Sequence, residues 1–370
     1  MNDRMFFRDQ GEMLPERPAP ITEVGIVGWL RINLFSSYGN TALTLVSVAL
    51  LALIVPPFVA WGLIDAQFSG DTGAVCSGVG ACWAWLDQRL GQFFYGFYPA
   101  DAHWRVNVTA LLLVPALLYV LVDNLPGAKF GRWFSYVYPL LAAYLLVGGF
   151  GLEVISTDKF GGFMLNMVVG LTGIVLSLPV GILLALGRQS RLPVIRLLSI
   201  TFIEAVRGVP LITLLFVAIV LLQLFLPPEV SLDQLLRVII MVTLFASAYM
   251  AEVVRGGLQA IPKGQIEGAQ AVGLGYWQTM RLIVLPQALR ISIPGIVNTF
   301  IGLFKDTTLV IIIGLFDLLG HARLLQTNPD WIGDVDHEAY LFSAAVFFVI
   351  CFLMSRYSVS LEKQLSQDRH

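Results

Sequence analysis

The chain has 370 residues, 57% of them hydrophobic and 13% charged, and a mean hydropathy of +0.77. A soluble domain carries roughly 25% charged residues, so an ordinary soluble enzyme and a disordered chain are both excluded. The 23 Lys+Arg against 25 Asp+Glu give a net charge of −2, without the basic excess of a nucleic-acid-binding protein, and 3 cysteines are too few for a disulfide scaffold. What remains is an all-α integral membrane protein.

Residues 1–35 are polar at first, carry Asp and Glu, and contain Pro15, Pro18 and Pro20. They read as a cytoplasmic tail rather than a cleavable signal. Residues 26–35 are either a short interfacial helix with Arg31 on its polar side or an extended linker. Apolar runs of about 20 residues then follow, the length a membrane-crossing helix needs. They cover residues 36–64, 106–122, 134–152, 160–187, 209–226, 235–254, 291–316 and 339–355. Glu252 lies near the end of the sixth run, and Lys305 and Asp306 interrupt the seventh. The expected fold thus has about 8 transmembrane helices.

With the N-terminus inside, the outer segments hold only Arg89, Arg105, Lys159, Arg237 and Arg323 among the basic residues, while nearly all the others fall in inner segments. This bias places both termini in the cytoplasm. Trp61, Trp104 and Trp133 sit at helix ends, as interfacial aromatics do. Outside is an oxidising compartment, where Cys76 and Cys82 can form a disulfide or remain two free thiols. Asp317, Asp330, Asp334, Asp336 and Glu338 make the last outer loop acidic, and a solvated loop is the expectation there; no metal site is assigned. No G-x-x-x-x-G-K-[ST], H-E-x-x-H or G-x-S-x-G pattern is present, so neither nucleotide binding through a P-loop nor hydrolase chemistry has a basis.

Residues 259–287, QAIPKGQIEGAQAVGLGYWQTMRLIVLPQ, are too apolar for a linker and too polar for a span. Pro262 suits a helix start. Glu267 lies early in that helix, where a carboxylate complements the dipole. Ile266, Ala269, Gln270 and Gly273 share a face at helical spacing. Gly273 and Gly275 end this helix, and a second short helix is expected from Tyr276 to about Ile283. Two short helices at an angle on the cytoplasmic face suit docking into a partner's groove; an interfacial re-entrant segment is the competing reading.

Glu267, Gly268, Ala269, Gly273, Ile283, Leu285 and Pro286 fit the spacing E-A-A-x3-G-x9-I-x-L-P, with Gly268 replacing the first alanine. This pattern resembles the coupling loop of permease subunits in binding-protein-dependent ABC importers. The stretches FIEAVRGVPL (202–211), SAYMAEVVRGGLQAIP (247–262) and KDTTLVIIIG (305–314) are similar to the polar amino-acid branch of that family. The resemblance covers about residues 162–360. It implies a type I permease core of five helices within residues 159–358, carrying the coupling loop at 259–287. Before the core lie the tail (1–35) and an N-terminal extension (36–158) with three spans and a periplasmic loop at 65–105; a cytoplasmic tail (359–370) follows it. The long extension resembles the larger subunit of general L-amino-acid importers.

The resemblance also implies a bacterial inner membrane location and a set of partners. These are a second, shorter permease, a homodimeric ATPase that binds ATP and Mg, a periplasmic amino-acid-binding protein and an L-amino acid as substrate. This chain itself holds no cofactor and no catalytic residue. Glu267 and Gly273 become contact residues of the coupling loop. A charged residue within a span faces a polar interior. Lys305 and Asp306 therefore suit the carboxylate and ammonium of an amino acid, with Thr307, Thr308, Glu252 and Tyr249 nearby; mutual pairing of Lys305 and Asp306, or outward snorkelling of Lys305, is the alternative. A stand-alone secondary transporter is the competing function, although such proteins show internal repeats and none is evident in the sequence.

Overall fold

The computed structural model describes residues 25–76, 78–122, 125–221, 224–225, 227, 232–333, 335 and 337–367. Most of the predicted N-terminal tail, Asp334, Asp336 and the last three residues lie outside this set. The described chain is helical, with isolated bridges in place of named strands. It divides into two compact units, one of residues 1–66 and 79–81 and one of the remainder.

The first unit holds α1 (Gly25–Asn33) and α2 (Tyr38–Val59). Ser37 caps α2 by accepting a hydrogen bond from the Asn40 N–H at 3.2 Å. Pro56 and Pro57 lie inside α2, which runs on into a π-helical turn at Ala60–Ile64. A proline removes one i→i−4 bond, and a wider turn accommodates the loss.

The second unit begins with α3 (Trp85–Tyr95), α4 (His103–Leu121) and α5 (Ala128–Val147). The α4–α5 hairpin is joined by polar groups that reach main-chain carbonyls. Tyr138 donates to the Thr109 carbonyl at 3.1 Å and Ser135 to that of Ala116 at 2.7 Å. Helix α6 (Gly162–Arg188) is the centre of the unit and packs on α9 (Gln234–Gln259). Small residues allow that approach: a Cβ on Gly181 would lie 2.7 Å from Met250 Cβ.

Between them, α7 (Pro193–Arg207) is bent by 106° from the segment that begins with α8 (Leu211–Phe216). The bend falls at Gly208-Val209-Pro210, where Pro210 lacks the N–H that would continue the helix. Then come α10 (Lys263–Ala271), α11 (Tyr276–Thr279), α12 (Leu285–Asp306), α13 (Leu318–Gln326) and α14 (Glu338–Gln367).

Among the described residues six helical segments are long and apolar enough to cross a membrane, and seven if the bent pair is one span. The third expected span is also a helix, α5. Lys129, Arg132, Tyr136, Tyr138 and Tyr144 make it less apolar than the others. Three clusters hold the second unit together. One includes Leu165, Val169, Val238, Val242, Leu303 and Val310. Another surrounds Ala185, Ile203, Met250, Val254 and Val284. The third contains Trp85, Phe93, Leu318, Ala322 and Trp331.

This third cluster corrects the expectation of a solvated loop at Asp317 and Glu338. Leu318–Gln326 form α13, Asp317 is fully buried and Glu338 only 5% exposed, whereas Asp330 is exposed as expected and Asp334 and Asp336 lie outside the described residues. Glu338 earns that burial by accepting from the Cys82 N–H at 3.0 Å and the His337 N–H at 3.1 Å. Cys76 and Cys82 are joined in a disulfide, with Cα atoms 5.6 Å apart. Arg89 adds an ion pair with Asp330 at 3.3 Å.

Candidate functional site

Helix α10 begins where Pro262, at φ −59° and ψ 138°, breaks from α9. It ends where Gly273 takes φ +81°, a left-handed conformation that glycine adopts without a Cβ penalty. The Leu274 N–H then donates to the Ala269 carbonyl at 3.1 Å. The predicted face of Ile266, Ala269, Gln270 and Gly273 is only partly outward. Ala269 is buried and Ile266 packs on the cluster around Val254 and Val284, because the helix must cover the ends of α9 and α12. The outward face carries Glu267, Gly268 and Val272, the last 75% exposed. Tyr276, Trp277 and Leu282 extend this apolar exposure.

The second short helix is not separate. Tyr276–Thr279 passes through a π-helical turn at Met280–Val284 straight into α12, and the whole runs to Ile313. Leu285 and Pro286 are therefore the first residues of α12. Pro286 has no N–H to give, so it sits at the helix start and the preceding turn widens.

Lys305 and Asp306 occupy the last turn of α12, where the α-helix tightens into a 3₁₀ segment at Thr307–Ile313. Lys305 is exposed and Asp306 half-buried, and no salt bridge joins them among the described residues. Thr308 is half-buried and donates to the Lys305 carbonyl at 2.9 Å. Thr307 faces the other way. Buried at 1%, it donates to the Phe304 carbonyl at 2.7 Å and accepts from Asn166 Nδ2 at 2.9 Å.

Asn166 was not singled out by the sequence reading. It is fully buried, its Nδ2 also donates to Asp317 Oδ2 at 2.9 Å, and its Oδ1 accepts the Leu318 N–H at 3.0 Å. One amide thus ties α6 to the end of α12 and the start of α13. The available signal was a lone carboxamide in a charge-free span. Asp317 caps α13 by accepting from the Gly320 N–H at 2.9 Å, and burial pushes its carboxyl up to about 6. One turn on, His321 is 3% exposed beside Phe93 and Phe97. Burial pulls its imidazole down to about 4, which keeps it neutral.

Glu252 and Tyr249 are engaged elsewhere. Arg255 Nε donates to both Glu252 oxygens at 2.8 and 2.7 Å. Arg207 and Arg188 approach the same carboxylate at 3.7 and 3.8 Å. Arg188 also pairs with Glu204 at 2.7 Å, and the Arg207 guanidinium lies 5.6 Å from the centre of the Tyr249 ring. The substrate candidates thus separate into a group on α12 and an ionic cluster shared by α6, α7 and α9.

Residues 177–367 match the family described as binding-protein-dependent transport system inner membrane component. The inner membrane amino-acid ABC transporter permease protein YhdY of Escherichia coli (strain K12) is 47% identical, covering 96% of this chain and 97% of that protein. The glutamate/glutamine/aspartate/asparagine transport system permease protein BztC of Rhodobacter capsulatus is 44% identical, with 100% of both chains covered. A crystal structure of an amino acid ABC transporter with histidines is 27% identical, covers 55% of this chain and 92% of that chain, and gives a TM-score of 0.49.

Proposed function

The chain belongs to the family of binding-protein-dependent transport system inner membrane components, and from that premise we propose that it is the permease subunit of an ABC importer of L-amino acids. It is a multi-pass inner-membrane protein with the type I permease fold. Family membership favours this reading over a stand-alone secondary transporter. ATP and Mg would be held by a separate homodimeric ATPase, so this subunit is mechanical rather than catalytic. A periplasmic binding protein would deliver the amino acid, and a second, shorter permease would complete the pathway. The charge bias supports cytoplasmic termini.

The observation that carries the reading is α10. It is a nine-residue helix set across the ends of α9 and α12, with an exposed Glu267 and an apolar rim of Val272, Trp277 and Leu282. Such a surface suits a groove on the ATPase, and a push on α10 passes directly into both helices. Glu267, Gly268, Ala269, Gly273, Leu285 and Pro286 are its coupling residues, in outward contact (Glu267, Gly268) or in shaping the turn (Gly273, Pro286).

The substrate pathway is proposed to pass Lys305, Asp306 and Thr308, which offer an ammonium, a carboxylate and a hydroxyl to the two charges of an amino acid. Thr307 supports the pathway through its bond from Asn166, whereas Glu252 and Tyr249 are engaged by arginines of a separate cluster and stand outside this pathway. The test is ATP-dependent uptake in vesicles containing the complex, with glutamate, glutamine, aspartate and asparagine as the panel. Asp306→Asn is expected to cut uptake while leaving the complex assembled; normal uptake by that variant removes Asp306 from the pathway.

A further inference from the structure

We infer that Glu252 is a positioning residue of the transport cycle, welding α7 and the predicted cytoplasmic end of α6 to α9 so that movement of α10 reaches the bend at Gly208–Pro210. This inference rests on the importer reading and assigns a role to a cluster which that reading leaves unexplained.

Glu252 lies roughly two turns before the end of α9, and α9 leads directly into α10. Its carboxylate is shared by three arginines from three helices: Arg188 at the end of α6, Arg207 at the end of α7, and Arg255 on α9. Arg207 immediately precedes the bend. Arg255 hydrogen-bonds the carboxylate from within α9, while Arg188 and Arg207 reach it by charge at 3.8 and 3.7 Å, so the link between helices is electrostatic. The Tyr249 ring against Arg207 fixes that side chain from a second direction. Glu204 on α7 completes the cluster by pairing with Arg188.

The packing around the cluster is close. A Cβ on Gly187 would overlap Ser199 Oγ across the α6–α7 contact, and one on Gly181 would press on Met250 and Ala251 across the α6–α9 contact. Close-packed elements move as units. Helix α7, the inner end of α6 and the inner half of α9 therefore form one body with α10 at its edge. The bend at Gly208–Pro210 is where that body hands motion to α8. Neutralising Glu252 leaves three arginines facing one another and breaks the weld.

The experiment uses the whole complex in liposomes with its binding protein, measuring ATP hydrolysed per amino acid imported. Glu252→Gln is expected to raise that ratio about fivefold or more, the lower end of coupling between sites, while the dependence on amino-acid concentration stays unchanged. Glu252→Asp is expected to restore most of the coupling. A wild-type ratio in Glu252→Gln overturns the inference. So does a changed preference among amino acids at an unchanged ratio, which would place Glu252 at the substrate. If Glu252→Gln does not assemble, Arg207→Gln gives the answer, because it removes the α7 charge that faces Glu252. An elevated ratio there supports the weld and a wild-type ratio refutes it. A wild-type complex that imports without consuming ATP would refute the importer reading itself, which separates the two failures.

Discussion

His321→Leu should make the protein gain stability on mild acidification. His321 and Asp317 sit one turn apart on α13, both buried and with opposite pH responses. The imidazole falls from 6.5 to about 4 on folding, so its folded pKa is depressed. Burial of the ring therefore carries no ionisation penalty above pH ~6.5, and stability is lost as the pH falls toward ~4. The carboxyl of Asp317 rises from 3.8 to about 6. Its ionised form is penalised above pH ~6, and that penalty is relieved as the pH falls toward ~3.8. Integrating each between pH ~7.5 and ~5 gives a loss of about 2 kcal/mol from His321 and a gain of about 1 kcal/mol from Asp317. In the wild type the gain from Asp317 offsets part of the loss from His321. His321→Leu removes the loss, and leucine suits the pocket between Phe93 and Phe97. Relative to wild type, the variant should become about 2 kcal/mol more stable at pH ~5 than at pH ~7.5. The assay is thermal or denaturant unfolding in mild detergent at both pH values. An identical pH response in variant and wild type would refute the buried, neutral assignment of His321.

Gly181→Leu should destabilise the α6–α9 contact by about 1–3 kcal/mol through overpacking, visible as a lowered melting temperature. Gly268→Ala is the contrasting case. A Cβ there meets nothing within 4 Å, so a gain of about 0.5–1 kcal/mol in helix stability is expected, with assembly retained; loss of assembly would place a partner's backbone against Gly268. Cys76→Ser should lower stability by roughly 2 kcal/mol in non-reducing conditions, the effect of closing a short loop. A reductant should narrow the gap between that variant and the wild type.

Much of the fold was legible because spans announce themselves as charge-free runs, and the helix stops were legible where a single residue imposes them. Pro262 and Gly273 bound α10 as their chemistry requires. The continuity of Tyr276 into α12 was not legible, since Pro286 reads locally as a stop and only the widened turn before it carries the helix through. Nor was the burial of Asp317, whose partner Asn166 lies about 150 residues away in sequence. Carboxylates between two spans look solvated until the partners that satisfy them are placed. Glu252 shows the same limit. Its position within a span pointed to a polar role and helical spacing pairs it with Arg255, but Arg188 and Arg207 come from helices whose packing no spacing rule reveals.

As one permease subunit of an ATP-driven importer, this chain is proposed to engage its ATPase through α10. The most direct measurement is purification of the chain from its native membrane in mild detergent, with mass spectrometry of the bound proteins. A P-loop ATPase and a second permease are expected to co-purify, both retained by the wild type and the ATPase lost from Glu267→Lys. A chain that purifies alone and moves amino acids across liposomes without ATP would contradict that proposal.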